Sequence, residues 1–504
     1  MHAKAWSAGA GLAAAGMLQA ASLALPWSGQ ASGSLQVLAM CWLVHQLQSA
    51  SHWRQAAART WMFTTAWLTA TFAWLYTALH TYGDLPALLT MAAVAGLAAV
   101  LALYYAAAGA LYVYLKPADP TGQALLWGSL WMMAELARAI WFTGFGWGGV
   151  AYAHVDSWLA AWAPVLGAHG MAAVVAMLAM TVHQWLVAPN VRYLALPMCL
   201  LLPGLWQSLP LHQGWSVSQG RTEVTLLQGN IAQDEKFQPG TGVPDALRWY
   251  GAQLQQADRP LTIAPETAIP VLPDQLPPGY EERLRQRFAS GDQAALIGIP
   301  LGSFQAGYTN AVIGLKPGLA QPWQYDKHHL VPFGEFIPPW FRWFTELMNI
   351  PLGSFNRGSL RQPSFVWQGQ TWGVHVCFED LFGEELAQRF LSQPPSVFVN
   401  VSNMAWFGHS QAPDQHLAIS RLRALEFERP FVRATNTGMT AVIDHRGQVT
   451  AQLPRFERGT LHALVEGRAG ITPYAWWVAR YWLWPLWATG LTVLFICWRL
   501  RRRE

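Results

Sequence analysis

Residues 372–380 read WGVHVCFED, an apolar run followed by a cysteine, a phenylalanine and two acidic residues. Aromatic and β-branched residues favour a strand over 372–376, and the chain is expected to turn at Cys377. In α/β enzymes, a sharp turn at the end of a strand exposes the nucleophile. Cys377 is therefore a candidate nucleophile; the alternative is a buried, inert thiol that packs as a small apolar residue.

Strands and helices alternate on both sides of this stretch. Further strands are predicted at 223–228, 261–264, 294–299, 311–315, 396–401, 431–435 and 439–443. Helical spacing is found at 245–256, 281–288, 383–391 and 413–428. This alternation predicts a layered α/β domain, which we place at 213–470.

The cysteine count favours an active role for this thiol. The chain has four cysteines, and three of them (Cys41, Cys199 and Cys497) fall in apolar stretches that we predict to cross a membrane. Cys377 therefore has no cysteine partner in its own domain. A lone thiol in an oxidising compartment is a liability unless it is buried or used in chemistry.

A nucleophilic thiol needs a base that takes its proton and donors that stabilise an oxyanion. Two other predicted strand ends offer such groups, since Glu266 follows the strand at 261–264 and Lys327 follows a tyrosine and an aspartate. Each residue alone is more typical of a solvated surface charge. Three reactive side chains at three strand ends favour one shared site.

Outside this domain the chain is poor in charge. Of its 504 residues, 53% are hydrophobic and 12% are charged, and residues 1–212 contain ten charged side chains. A water-exposed surface needs more charge than that, which excludes a soluble or disordered protein. The net charge of +4 is small and lies largely at the C-terminal residues, which excludes a nucleic-acid binder.

Several apolar runs are long enough to cross a bilayer, which takes roughly 20 residues. Spans are predicted near 6–26, 33–48, 61–82, 85–115, 124–150, 159–187, 192–211 and 475–498. The predicted domains are a bundle of about seven helices at 1–212, the extramembrane domain at 213–470, and a last helix with a basic tail at 471–504.

Loop charges predict the orientation of these spans. Lys and Arg follow the second, fourth and sixth spans, whereas the loops after the first, third and fifth contain neither. Positive residues mark the cytoplasmic side, so both termini are expected there and the 213–470 domain outside. Within the fifth span, Glu135 and Arg138 lie on one helical face. We interpret them as a mutually satisfied pair, with a lipid head-group contact as the alternative.

Longer motifs surround the candidate residues. They are 228–231 (QGNI), 265–270 (PETAIP), 327–338 (KHHLVPFGEFIP), 377–379 (CFE), 401–403 (VSN), 405–408 (AWFG), 421–426 (RLRALE), 433–436 (RATN) and, in the fifth span, 142–145 (FTGF) with Trp147. Together they resemble the apolipoprotein N-acyltransferases, the membrane-embedded branch of the nitrilase (carbon-nitrogen hydrolase) superfamily, along nearly the whole chain. The resemblance implies a membrane α-helical bundle of about eight transmembrane helices and an extramembrane nitrilase-like α-β-β-α sandwich.

The resemblance also implies a Glu–Lys–Cys triad. In it, Cys377 is the nucleophile, Glu266 the general base and Lys327 the oxyanion stabiliser. The backbone N–H of Phe378 is implied as the second oxyanion donor. Glu335 is implied to orient the lysine.

Further residues take supporting roles by the same resemblance. Glu379 is implied to hold the turn near the cysteine; for this carboxylate, as for Glu335, the alternative is a buried group satisfied by backbone donors. Predicted substrate contacts are Trp406, Asn403, Trp340 and Phe341. The aromatic insertion at 336–366 is interpreted either as a lid that dips into the membrane interface or as packing between domain and bundle.

The implied reaction is an acyl transfer in two steps. An acyl chain moves from a phospholipid, expected to be phosphatidylethanolamine, to the cysteine as a thioester. The α-amine of the S-diacylglyceryl-cysteine at an apolipoprotein N-terminus then accepts it as an amide. The expected setting is the bacterial inner membrane with a periplasmic catalytic domain. The expected form is a monomer that needs no cofactor or metal and binds no nucleic acid.

Two other functions stay open, namely a membrane-anchored amidase with the same triad and a transport or scaffold protein with a decayed domain. An intact triad argues against decay. Four residues depart from the family pattern, and they are Ala264, Phe378, Met404 and Gly146. They leave the triad complete but put the substrate preference and the rate in question.

Overall fold

The computed structural model describes residues 2–208, 214–303, 305–337 and 355–503. The chain divides into two compact units. The helical unit comprises Met1–Gly214, His409–Glu426 and Thr472–Glu504, and the sandwich unit comprises Trp215–Gly408 and Phe427–Ile471. Residues 409–426 group with the helical unit, although the sequence alone assigns them to the extramembrane domain at 213–470.

Helices dominate the two ends of the described chain. The α-helices are α1 (His2–Leu23), α2 (Gly33–Gln48), α3 (Trp53–Thr71), α4 (Ala87–Leu115), α5 (Pro120–Ile140), α6 (Ala163–Val187), α7 (Ala195–Gln207), α8 (Gly242–Gln255), α9 (Tyr280–Arg287), α10 (Gly383–Leu386), α11 (Ala412–Phe427), α12 (Pro473–Tyr481) and α13 (Trp484–Arg501).

Strands occupy the middle of the chain. They are β1 (Ser216–Gln228), β2 (Leu261–Ile263), β3 (Ala294–Ser303), β4 (Gly307–Leu315), β5 (Trp323–Asp326), β6 (Phe365–Trp367), β7 (Gln370–Val376), β8 (Val397–Ser402), β9 (Phe431–Thr435), β10 (Ala441–Ile443), β11 (Val449–Gln452) and β12 (Gly459–Gly470).

Helices lie near every predicted span, but the count of about eight is not confirmed. By length and composition, two helical segments of the described chain could cross a membrane, Ala87–Leu115 and Trp158–Val187. The bent pair α12 and α13 makes a third if it is one span. By this measure α2, with 16 residues, and α7, with 13, are too short, whereas α3, with 19, and α5, with 21, are long enough but not apolar enough.

The predicted single helix at 475–498 is wrong, because α12 and α13 meet at 88°. Trp482, between them, has a positive φ of 55°. Pro485 lies in the first turn of α13. Proline lacks the N–H that a continuing helix needs, so the chain restarts there in a new direction.

The fifth predicted span also ends early, since α5 stops at Ile140. Arg138 donates to the backbone carbonyls of Phe145 and Trp147 at 2.8 and 2.7 Å. Glu135 accepts from an indole N–H and a backbone N–H, both at 3.1 Å. Glu135 and Arg138 therefore each hydrogen-bond to groups other than one another. These bonds differ from the Glu135–Arg138 pair that the sequence favours.

The described residues of the sandwich unit form two six-stranded sheets. The first has the order β12-β1-β2-β3-β4-β5, and the second has the order β11-β10-β9-β8-β7-β6. Buried apolar side chains from both sheets, such as Val224, Ile263 and Val399, form one core. Leu247 of α8 and Leu284 of α9 belong to a second core on the first sheet. The predicted layered α/β architecture is confirmed for this unit.

Two of the three candidate residues follow parallel strands, one in each sheet. β1, β2 and β3 run parallel, and so do β7, β8 and β9. The carboxyl ends of parallel strands share one edge of a sheet, which is where α/β folds build their sites. Glu266 follows β2 and Cys377 follows β7, whereas Lys327 follows β5, which pairs antiparallel with β4 at the end of the first sheet.

Candidate active site

The Cys377 turn begins where β7 ends. Cys377 has a φ of +57°, a left-handed conformation that costs a non-glycine residue about 1–2 kcal/mol. Asn400 Nδ2, from the buried strand β8, donates to the Cys377 carbonyl at 2.7 Å. A short 3₁₀ turn, Cys377–Leu381, follows at once. The strained nucleophile is thus held by a neighbouring strand and by its own turn.

Lys327 lies between two carboxylates. Its Nζ is 2.9 Å from both oxygens of Glu335 and 3.6 Å from Glu266 Oε1. Each of the three residues is less than a tenth exposed. Buried charges persist when they are paired and hydrogen-bonded, so these groups stabilise one another. We call Glu266, Lys327 and Glu335 the charge cluster.

Donors from both sheets orient Glu266. Asn310 Nδ2, on β4, donates to Glu266 Oε1 at 2.7 Å and to Glu335 Oε1 at 2.8 Å. The backbone N–H of Asn403, after β8, donates to Glu266 Oε2 at 2.8 Å. The carboxylate of the candidate base is therefore fixed on both of its oxygens.

Electrostatics keep the nucleophile protonated at rest. Burial raises the pKa of the Cys377 thiol, the Glu266 carboxylate raises it further, and Lys327 opposes both effects. Burial lowers the pKa of Lys327, but the carboxylates of Glu335 and Glu266 outweigh burial and hold that pKa above its ordinary value. The site thus combines a thiol that needs a base with a permanently charged ammonium.

Glu379 ties the cysteine turn to the loop after β5. Its Oε2 accepts from the backbone N–H of Val376 at 2.6 Å. Its Oε1 accepts from the backbone N–H groups of His328 and His329 at 2.8 and 3.0 Å. Tyr325 OH lies 3.0 Å from both oxygens. Burial raises the pKa of Glu379, and the backbone donors oppose that rise.

The predicted substrate contacts lie in different settings. Asn403 is buried, and its side chain hydrogen-bonds Gln233 and Asn436 at 2.7 and 3.0 Å. Trp406 is 41% exposed. Outside the described residues lie Trp340, Phe341 and the 338–354 part of the predicted insertion.

Several buried side chains at this site have no role in the sequence-based prediction, and Asn310 and Lys236 lie next to the candidate base. Asn310 sits in β4, where residues 308–313 read YTNAVI, and a polar residue within an apolar strand is a usable signal. Lys236 is 2% exposed, and its Nζ donates to the Glu266 carbonyl at 3.0 Å. It follows Asp234 and Glu235, a run typical of a solvated surface, so no pattern marks it. Among the described residues, no group of three His, Cys, Asp or Glu could hold a metal ion.

Known proteins resemble both parts of the chain. Residues 15–181 match the apolipoprotein N-acyltransferase N-terminal domain, and residues 226–474 match the carbon-nitrogen hydrolase family. The apolipoprotein N-acyltransferase of Verminephrobacter eiseniae is 52% identical over 494 residues, which cover 93% of this chain and 92% of that protein. The chain belongs to the apolipoprotein N-acyltransferase family. The Bordetella bronchiseptica member is 40% identical over 94% of this chain and 93% of its own length.

Among solved structures, an amidase from Nesterenkonia sp. aligns with 15% identity and a TM-score of 0.36, over 53% of this chain and 96% of that one.

As a member of the apolipoprotein N-acyltransferase family, the chain is an acyltransferase with a carbon-nitrogen hydrolase domain. Family membership favours this activity over the amidase and scaffold alternatives. The apolar helices agree with the membrane association of the family.

Proposed function

We propose that this chain moves an acyl chain from a phospholipid to Cys377 and then to the α-amine of the N-terminal S-diacylglyceryl-cysteine of an apolipoprotein. The observation that carries the proposal is the charge cluster. A buried carboxylate and a buried ammonium lie 3.6 Å apart, and both act electrostatically on the thiol at the end of β7. Cys377, Glu266 and Lys327 are the proposed triad.

In the first half-reaction, Glu266 takes the thiol proton, and the sulfur of Cys377 attacks the ester carbonyl of the phospholipid. The Lys327 ammonium and the N–H of Phe378 stabilise the tetrahedral oxyanion. The ester C–O bond then breaks, and the proton on Glu266 passes to the departing glyceryl oxygen. A lysophospholipid leaves, and the acyl chain remains on sulfur as a thioester.

In the second half-reaction, the α-amine of the lipoprotein attacks the thioester carbonyl. Glu266 takes a proton from the attacking nitrogen, and Lys327 again balances the oxyanion. The C–S bond breaks, and the proton returns to Cys377, which leaves as a thiol. The products are an amide and the resting enzyme. Water must be excluded meanwhile, because hydrolysis of the thioester would waste the acyl chain.

Glu335 and Glu379 are proposed to position these groups. Glu335 binds Lys327 with both of its oxygens, and Glu379 anchors both the cysteine turn and the loop that carries the lysine. Substrate contacts are proposed for Trp406 and Asn403.

The setting and the donor are also proposals. Loop charges support cytoplasmic termini and a periplasmic domain at 213–470, between a bundle at 1–212 and a last segment at 471–504 that holds α12, α13 and the basic tail. We take phosphatidylethanolamine as the donor and a monomer as the working form, as the family resemblance implies.

The test is intact mass spectrometry of the purified full chain after incubation with phosphatidylethanolamine. We expect one acyl adduct, located on Cys377, which disappears when a diacylated lipopeptide is added as acceptor. Cys377→Ala should form no adduct, and Cys377→Ser should transfer at most a trace. Cys199→Ala is the matched control, because this exposed thiol lies outside the site. N-acylation of the lipopeptide by Cys377→Ala would contradict the proposal.

A further inference from the structure

Lys236 is a second buried lysine beside the candidate base. It is 2% exposed, and its Nζ donates to the main-chain carbonyl of Glu266 at 3.0 Å. The segment that leads to it is tied to the same site, because the N–H of Ile231 donates to Asn436 Oδ1 at 3.1 Å. The described structure therefore holds the ammonium against the backbone of Glu266.

The charge cluster is unbalanced without this lysine. Glu266 and Glu335 supply two negative charges, and Lys327 supplies one positive charge. When Glu266 takes the thiol proton, the negative charge moves to the sulfur of Cys377 and the excess remains. An uncompensated charge in a buried site is costly, so a further cation there has a clear electrostatic benefit.

The charge of Lys236 reaches both reacting groups. It interacts electrostatically with the Glu266 carboxylate and with the Cys377 sulfur. Burial lowers the pKa of Lys236 to about 8, against the opposing effect of these two anions. The side chain is therefore mostly an ammonium at neutral pH, and it can balance the excess negative charge.

Neighbouring charges have partners of their own. Arg433 Nη1 lies 3.3 Å from Asp380 Oδ2, and both side chains are fully buried. Glu379 is held by backbone N–H groups and by Tyr325. Arg433 also acts electrostatically on the Cys377 sulfur, but the Asp380 carboxylate beside it acts in the opposite direction. Among the described groups around the thiol, Lys236 is thus a cation without such an acidic partner, and it balances the charge of Glu266, Lys327, Glu335 and Cys377.

We propose that Lys236 is a positioning residue for the acyl transfer, which fixes the main chain of Glu266 and balances the charge of the Cys377 thiolate. The inference rests on the roles proposed above for Glu266 and Cys377. It adds a fourth polar group to the triad, one that acts through the base and the nucleophile and makes the thiolate easier to form.

The experiment compares Lys236→Met with the wild type, both as the purified full chain. The first readout is the pH dependence of Cys377 alkylation by iodoacetamide, which needs no lipid. The second is the initial rate of acyl-adduct formation from phosphatidylethanolamine. Loss of a nearby cation should move the alkylation midpoint up by about one pH unit and slow adduct formation about tenfold. Lys236→Arg keeps the positive charge, so its alkylation midpoint and its rate of adduct formation should lie between those of Lys236→Met and the wild type.

Lys316→Met is the matched control. Lys316 Nζ also donates to a backbone carbonyl, Val366 O at 2.7 Å, but in an exposed position outside the charge cluster. Its replacement should leave both readouts at the wild-type value. If Lys236→Met fails to fold, Lys236→Gln takes its place, because glutamine keeps a donor for the Glu266 carbonyl and removes only the charge.

Each outcome separates this inference from the proposed function. Lys236→Met, or Lys236→Gln in its place, could show the alkylation profile and the adduct formation of the wild type. That result would overturn the role of Lys236 but not the proposed acyl transfer. A wild type that forms no adduct would overturn the function. A shifted alkylation profile in that case would still support the electrostatic role.

Discussion

Replacing the proposed base should separate the reactivity of Cys377 from its catalytic use. Glu266→Gln removes the group that takes the thiol proton, and loss of a general base typically costs about 10²–10⁴ in rate, or about 3–5 kcal/mol of activation free energy. The same change removes a negative charge that raises the pKa of the Cys377 thiol. The thiol should therefore ionise about one pH unit lower while acyl transfer nearly stops.

The hydrogen bonds around Glu266 add a structural cost. The carboxylate accepts from Asn310 on one oxygen and from the N–H of Asn403 on the other, at 2.7 and 2.8 Å. A glutamine offers one oxygen, so its NH₂ must face a donor on one side. One buried donor is left unpaired, which costs about 1–3 kcal/mol of folding free energy and should lower Tm.

Two assays on the purified full chain check this prediction. Mass spectrometry follows the acyl adduct on Cys377 with time, and iodoacetamide alkylation is measured as a function of pH. Glu385→Gln is the control, since it makes the same change at a carboxylate that binds His329 at 2.9 Å outside the charge cluster. Wild-type adduct formation in Glu266→Gln, or an alkylation midpoint that moves to higher pH, would refute the reasoning.

Two further substitutions test how the site is held. Gly298→Ala would place a Cβ 2.2 Å from the Pro265 carbonyl oxygen, so the turn that carries Glu266 must move. The rate of adduct formation should therefore fall about 100-fold. Gly240→Ala is the control and should react like the wild type, because the space around its Cβ is open. Asn400→Ala removes the hydrogen bond to the Cys377 carbonyl. Chemical denaturation should show a loss of about 1–3 kcal/mol of folding free energy, and adduct formation should be slower. An unchanged rate of adduct formation would contradict the anchoring role of Asn400.

The positions of Glu266 and Cys377 at strand ends could be predicted because each residue follows a short apolar run, whereas β5, before Lys327, reads WQYD and is only partly buried. β2 and β7 are fully or almost fully buried strands, so their sequences read as strands and the reactive residue after each one stands out. The pairing order of the sheets is not contained in these local patterns. It depends on contacts between segments more than a hundred residues apart, such as β1 with β12.

The hydrogen-bonding partners of the site were harder to predict. Lys236 sits among acidic residues and looks solvated, yet tertiary packing buries it against Glu266. The same limit applies to the apolar helices, because hydropathy predicts where an apolar segment lies but not whether its helix is unbroken. The break near Trp482 follows from backbone conformation, which a hydropathy average does not register.

The protonated resting state of Cys377 should protect its sulfur from oxidation. Oxidation by peroxides and exchange with disulfides both proceed through the thiolate. Because desolvation and Glu266 together keep Cys377 as a thiol, sulfenic acid and mixed disulfides should form slowly on it. An enzyme whose chemistry depends on a single cysteine can thereby keep that cysteine reduced between turnovers without a second thiol to repair it.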